Sequence, residues 1–292
     1  KPGLPNTQRV RSELHMHTQL KISQITWTEK WGPSSSLIIS KLLTMVYKIY
    51  HWVRRLLARV DLGFMILIFP RDFEQDGLAT SRIRPFSGDV DFEAARKETV
   101  SIIGTDFHID WRSHVFLWAF RSTLSLPGVA IELGTGKAWM FTMAMNHRQI
   151  PSIGEVFLID RFSNWSVNKV TGQPIEGQLN NVYTSDYKSL VERFSTEAGV
   201  HLVKGELPLV LSEIDFGGCG VRFIHVDLNA SQPEVDSLRI LWAKLIPGAI
   251  VLLDDFGSPE FTESNSAMRC LASELDFDIL GLPTGQGIIV KR

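Results

Sequence analysis

Residues 221–257, VRFIHVDLNASQPEVDSLRILWAKLIPGAIVLLDDFG, constrain the fold more than any other stretch. Two short apolar runs each end in acid, Asp227 after the first and Asp254–Asp255 after the second. Between them lies one amphipathic helix's worth of sequence. A strand–helix–strand unit makes its two strands parallel neighbours. Three carboxylates then stand at the carboxyl ends of adjacent strands, where open α/β sheets bind ligands. A packed core does not call for acids there; a divalent metal or a proton transfer does.

The same alternation runs through the carboxyl-terminal two thirds. Strands are predicted at Val129–Leu133, Val156–Asp160, Val200–Val203, Val221–Val226 and Ala249–Leu253, with helices over 137–147, 184–198, 233–246 and 262–275. Two further helices precede them, over 92–102 and 110–124. Phe277–Leu282 and Gly287–Lys291, split by PTGQG, read as an antiparallel hairpin. The expected fold is α/β: a Rossmann-like, doubly wound, mostly parallel seven-stranded sheet ending in an antiparallel hairpin. Residues 92–292 form this domain, and 1–91 form an amino-terminal extension in which 70–92 read as loop. The long segment 161–182 carries Asn, Gly and Pro without periodicity, and such loops are often functional.

The net charge of −2 conceals an asymmetry. Residues 1–61 hold ten Lys/Arg against three Asp/Glu, and the rest hold twenty against twenty-nine. Residues 36–60, SLIISKLLTMVYKIYHWVRRLLARV, read as a helix with Lys41, Lys48, Arg54, Arg55 and Arg59 on one arc and a wide apolar face opposite. Packing of that face on protein, including self-association into a homo-oligomer, is one expectation; peripheral contact with an anionic membrane is the other. Charges interrupt the segment too often for a span. Its apolar width and the lack of an RNA-binding module argue against nucleic acid. Two cysteines, Cys219 and Cys270, give no disulfide framework and favour a reducing, cytoplasmic location. The chain starts at Lys1 without Met, so residues are expected to precede it; no secretory signal is visible.

The first strand of the alternation runs into VAIELGTGKAW, residues 129–139. Gly134 and Gly136 let backbone pass close to a ligand, and the next helix offers unpaired N–H groups. A dinucleotide fingerprint wants a small residue where this chain has Trp139, which disfavours NAD or FAD. Glu132, at the strand end, would repel a pyrophosphate but suits the cationic methionine end of S-adenosylmethionine. Asp160, ending the second strand, stands where a carboxylate accepts hydrogen bonds from ribose hydroxyls.

Acid–x–Gly–x–Gly after a first strand resembles the first motif of class I methyltransferases. Within them, IHVDLNAS…LWAKLIPGAIVLLDDFG and the ending LPTGQGIIVKR are similar to the macrocin O-methyltransferase family of sugar-hydroxyl methyltransferases. The resemblance covers roughly residues 95–292. It implies S-adenosylmethionine and magnesium as cofactors and a hydroxyl as acceptor. By resemblance, Glu132, Gly134 and Gly136 hold the methionine end, Asp160 the ribose, and Glu206 the adenine side; Asp227, Asp254 and Asp255 are metal ligands. The chain departs from the family at Ala138, usually glycine, at His225, often aspartate, and at Asn229, often tyrosine.

The expected chemistry is in-line methyl transfer from a sulfonium to a hydroxyl of a sugar or glycosylated natural product, with Asp227 taking the proton. A catechol-like or other diol is the alternative acceptor. A methyltransferase-fold protein without activity, associated with a membrane, is the alternative outside enzymes. His15 and His17 form an HxH in an irregular segment, and His108 and His114 precede the cofactor domain; all read mainly as surface or packing residues. Trp111, Trp118, Trp139 and Trp242 read as core, and Trp165, in the long loop, as a residue that could stack on a sugar.

Overall fold

In the computed structural model, residues 73–80, 82–162, 166–167, 174–175 and 187–292 are described. The basic helix predicted over 36–60, His15, His17, Trp165 and most of the 161–182 loop lie outside the described residues. The elements in chain order are β1 (Phe73–Gln75), β2 (Leu78–Thr80), α1 (Val90–Ile103), α2 (Asp110–Ser122), β3 (Val129–Leu133), α3 (Trp139–Asn146) and β4 (Val156–Asp160). They continue with β5 (Ser166–Val167), β6 (Pro174–Ile175), α4 (Tyr187–Phe194), β7 (Val200–Lys204), β8 (Val221–Val226), α5 (Ser231–Trp242), β9 (Leu245–Leu253), α6 (Thr262–Leu275), β10 (Leu280–Gly281) and β11 (Gly287–Val290).

Seven strands form one sheet in the order β10-β11-β9-β8-β3-β4-β7. Strands β7, β4, β3, β8 and β9 are parallel, and β11 runs antiparallel to both β9 and β10. The expected α/β sheet with its antiparallel terminal hairpin is the fold observed. Its parallel part reverses direction of growth at β3, the switch point beside which ligands bind in such sheets.

Side chains alternate between the two faces of each strand. Ala130, Val156, Leu158, Phe223 and Leu252 face one buried cluster, shared with Phe92 of α1, Phe116 and Phe120 of α2, Phe141 of α3 and Leu190 of α4. Ile131, Leu133, Ile159, Ile224, Val226 and Val251 face the other, with Leu238 of α5 and Leu271 of α6. Both faces are therefore covered, which explains why the central strands read as continuous apolar runs. By the same parity, Glu132 and His225 point to the α1–α3 face, and parallel register sets them directly opposite each other.

Three local expectations change. The stretch 70–92 is not all loop: β1 and β2 pair as a hairpin around Asp76–Gly77, both at positive φ. Asp-Gly is the favoured pair for such a two-residue turn. Phe73 of this hairpin and Phe86 beyond it join the core beside α1 and α2. Strand β9 begins at Leu245 rather than Ala249, and α5 ends at Trp242, because Val221 N–H already bonds Lys244 O. Trp118 is 52% exposed, not core, since α2 turns Phe116 and Phe120 inward instead.

The loop after β3 is tied to the end of β8. Asp227 N–H donates to Leu133 O at 2.8 Å, and Gly134 N–H to Ile159 O at 2.9 Å. A Cβ on Gly134 would lie 1.9 Å from the carbonyl oxygen of Asp227, and its φ is +88°. Glycine is therefore required here for the approach of two strand ends. Gly134→Ala is expected to destabilise the fold by about 3 kcal/mol or more in urea unfolding; a midpoint near that of the wild type would contradict this packing.

Candidate active site

Parity and register bring four acids and a histidine to the carboxyl ends of β3, β8 and β9. His225 lies opposite Glu132 on β3 and Leu252 on β9, one turn of the zigzag from Asp254. Its Nδ1 is 3.0 Å from Glu132 Oε1, and its Nε2 is 3.5 Å from Asp254 Oδ1. Glu132, His225 and Asp254 are 2%, 1% and 5% exposed, so the three form a buried acid–imidazole–acid line across three strands. Phe116 packs its ring edge-to-face on the imidazole at 5.2 Å.

Burial alone would discharge the imidazole, but Asp254 and Glu132 outweigh it and raise the His225 pKa to about 10. Asp254 is held below the usual carboxylate range: burial opposes this, but His225 and Arg112 prevail. Glu132 goes the other way, because burial raises its pKa more than His225 lowers it. These shifts favour the imidazolium form of His225 and the ionised form of Asp254.

The second cation is Arg112, in the first turn of α2. Its Nη1 donates to Asp254 Oδ2 at 2.6 Å and to Asp255 Oδ1 at 3.1 Å. Its Nε donates to Asp76 Oδ2, and its Nη2 to Asp76 Oδ1 at 3.1 Å. Burial works against the guanidinium charge, yet Asp254 and Asp76 raise its pKa overall. Gln75, next to Asp76, braces the start of α2: its Oε1 accepts from Asp110 N–H at 2.8 Å. The fully buried Gln286, from the β10–β11 turn, donates Nε2 to Asp254 Oδ1 at 2.9 Å.

Asp227, Asp254 and Asp255 each present a carboxylate oxygen, all within 4.8 Å of one another. These are hard oxygen donors of the kind Mg²⁺ takes, and their spacing needs only a small closure to fit one ion. A cleft behind them is lined by Glu234, Ser264 and Met268. Burial, then the like charge of Asp254, raises the Asp227 pKa well above its ordinary value. Asp255 rises to about 6, through burial and then Asp254, against the pull of Arg112. Glu234 rises to about 7, chiefly through burial. Asn229, where the resembled family often has tyrosine, stands at φ +55°. Asparagine adopts that backbone more readily than a bulky residue, and its Nδ2 lies 3.4 Å from Asp227 Oδ1.

At the β3–β4 end, Asp160 Oδ2 accepts from Gly136 N–H at 2.8 Å, and Oδ1 from Phe162 N–H at 2.9 Å. The carboxylate ties the glycine turn to the start of the long loop. A Cβ on Gly136 would meet nothing within 4 Å, so the turn opens onto free space there. Glu132 Oε2 and Thr135 Oγ1 are buried without a hydrogen-bond partner. The Thr135 hydroxyl can donate as well as accept, so Glu132 Oε2 is the acceptor at this open glycine turn that fits a ligand bringing its own donor, such as an ammonium group. Ala138, where the resembled family tends to have glycine, adopts φ +57° as the cap of α3. Trp139 turns inward, its Nε1 bonded to Ser113 Oγ at 3.0 Å and its ring against Phe107. Glu206 is exposed beside Arg161, 3.6 Å away, apart from the acid cluster. His114 packs among Phe86, Phe92 and Trp111, and burial lowers its pKa; His108 is exposed.

Arg112, Gln286, Asp76 and Glu234 were not foreseen from sequence. Asp76 and Gln286 have local signals only as turn residues, in the Asp-Gly pair and in PTGQG. Because His225 titrates near 10 when folded and near 6.5 otherwise, its contribution to stability is full below about pH 6.5 and is lost as pH rises through about 10. That contribution is on the order of 5 kcal/mol at most. Thermal unfolding of the wild type should therefore fall more steeply between pH 6.5 and 10 than that of His225→Gln; parallel curves would show an uncharged imidazole.

No protein-family profile matches the chain, and no curated protein matches it. Among solved structures it is similar to the calicheamicin methyltransferase CalS11, at 16% identity, with 72% of this chain and 94% of that one covered and a TM-score of 0.49. It is also similar to the O-methyltransferase NovP, at 15% identity, 62% and 79% coverage and a TM-score of 0.48. A third is the O-methyltransferase TomG from Streptomyces achromogenes, involved in tomaymycin synthesis, at 13% identity, 70% and 91% coverage and a TM-score of 0.41. Likeness at this level concerns chain path; the chemistry of this chain rests on its own residues.

Proposed function

We propose that the chain is an S-adenosylmethionine-dependent O-methyltransferase acting on a hydroxyl of a sugar or glycosylated natural product. The observation that carries this reading is the pairing of an open glycine turn, with the unpartnered Glu132 Oε2 beside it, and a carboxylate cluster one strand away. One end suits a cationic adenosine cofactor; the other suits an acceptor that must lose a proton.

When bound, S-adenosylmethionine supplies an activated methyl group, and Mg²⁺ would lower the acceptor's pKa. Asp227, Asp254 and Asp255 would hold the ion. The protein's own part is alignment and proton removal. Burial and the like charge of Asp254 raise the proton affinity of Asp227, so it would be the residue that takes the proton from the acceptor hydroxyl. Asp254 is held by hydrogen bonds from Arg112 and Gln286, with the ring Nε2 of His225 3.5 Å away. Such bracing preserves alignment, on which in-line displacement depends. Glu132, its Oε1 committed to His225, leaves Oε2 for the cofactor's ammonium or a water bridging to it.

The long basic, apolar segment 36–60 remains an expectation of peripheral membrane contact or self-association. Among the described residues no helix is long and apolar enough to cross a membrane.

Calorimetry with S-adenosylmethionine tests the reading. The wild type should bind, and Gly136→Ala, whose methyl would enter the open space over the turn, should bind at least about tenfold more weakly while costing the fold only about 1–2 kcal/mol. No heat at high micromolar ligand would sink the proposal. With labelled cofactor and a panel of sugar nucleotides and vicinal diols, Asp227→Asn should retain cofactor binding and lose about 10²–10⁴-fold in methyl transfer.

A further inference from the structure

The Asp254–Asp255 pair, two of the three carboxylates suited to a divalent ion, already carries a cation from the chain itself. Arg112 Nη1 spans both side chains, at 2.6 and 3.1 Å. A guanidinium does not give up its proton in proteins. The two oxygens it covers are therefore freed by movement of the side chain, not by titration. The rest of the guanidinium is engaged elsewhere: Nε and Nη2 make a two-pronged contact with Asp76 at the tip of the β1–β2 hairpin. The root of the side chain is fixed as well, because Gln75 bonds both the N–H and the carboxylate of Asp110. Arg112 is thus anchored at its backbone and at one edge, with the Nη1 corner alone facing the acid pair.

We propose that Arg112 is the resident counter-ion of the Asp254–Asp255 pair and gates divalent-cation entry: a metal ion binds as Nη1 leaves the two carboxylates, while Asp76 keeps the guanidinium charge paired. The inference rests on the reading of this cluster as the metal and acceptor end of the site. A protein whose ion-competent state is a minor fraction shows an affinity reduced by that fraction. Removing the guanidinium removes the competition. Arg112 acts here as a positioning residue, working through Asp254 and Asp255.

Mn²⁺ binding to the full chain, read by titration calorimetry and by the electron paramagnetic resonance signal of free Mn²⁺, tests this without an activity assay. Arg112→Met, which keeps length and loses charge, should bind Mn²⁺ at least tenfold more tightly than the wild type. Arg112→Lys, which loses the two-pronged hold on Asp76 but keeps a cation beside the acid pair, should gain less than tenfold over the wild type. Equal or weaker binding by Arg112→Met, with circular dichroism unchanged, would overturn the proposal, as would a tenfold gain in Arg112→Lys. Should Arg112→Met not fold, the wild type gives the answer alone. Saturating Mg²⁺ should shift the Arg112 Nε–Hε resonance in a ¹⁵N-labelled sample, and an unmoved resonance at saturation overturns the gate. Absence of Mn²⁺ binding in every form also overturns it. Heat from S-adenosylmethionine on the same samples would then leave the methyl-transfer reading standing.

Discussion

A buried histidine between two acidic side chains is the interaction on which the rest of the site depends. His225 is nearly inaccessible to solvent, with Glu132 on one ring nitrogen and Asp254 on the other. Neither acid could stay ionised in that interior without a compensating charge, because burying an isolated carboxylate raises its pKa until it neutralises. The strands that carry these three residues are the central ones of the sheet, β3, β8 and β9. Their order and register are the reason the charges meet. The fold thereby joins the glycine turn after β3 to the acid pair after β9 through a single side chain of β8.

Arg112 completes the balance from outside the sheet. Asp227, Asp254, Asp255 and Asp76 crowd one end of the molecule, and a guanidinium bridging three of them offsets the repulsion. Desolvating a charge pair is costly, and removing one partner costs more, since the other is left buried and alone. Glu132, His225, Asp254 and Arg112 should therefore behave as a unit, with single substitutions non-additive. The resembled family often has aspartate at the His225 position. Replacing an acid by an imidazolium shifts the local charge toward positive and gives Asp254 a partner within the chain. The cluster of this chain is consequently less starved of cations than its count of acids suggests.

Much of this was legible in the sequence, and the reasons are specific. The alternation of apolar runs with amphipathic helices fixes parallel strands, and acids at Asp227 and Asp254–Asp255 then fall at one sheet edge whatever the details of packing. The Glu132–His225 pairing follows from strand parity, but only once the register is known, and a shift of one residue would place the two on opposite faces. Arg112 lies 142 residues from Asp254 along the chain, and no periodicity reports how α2 lies over the sheet. Gln286 reads as a turn residue until the hairpin folds back on β9. The β1–β2 hairpin carried an Asp-Gly signal, yet strands of three residues are too short to show alternation, so Asp76 passed as loop. Trp118 shows the same limit from the other side: a tryptophan on a helix with mixed polarity reads as core until the helix takes its orientation.

The central claim is that His225 carries a positive charge in the folded protein, held by Glu132 and Asp254. The most direct measurement is ¹⁵N NMR of the histidine side chains in the ligand-free protein at pH 8, with His225→Gln used to assign the resonance. The account predicts that both ring nitrogens of His225 are protonated at that pH, far above the ordinary range for histidine. A neutral single tautomer at pH 8 would contradict it.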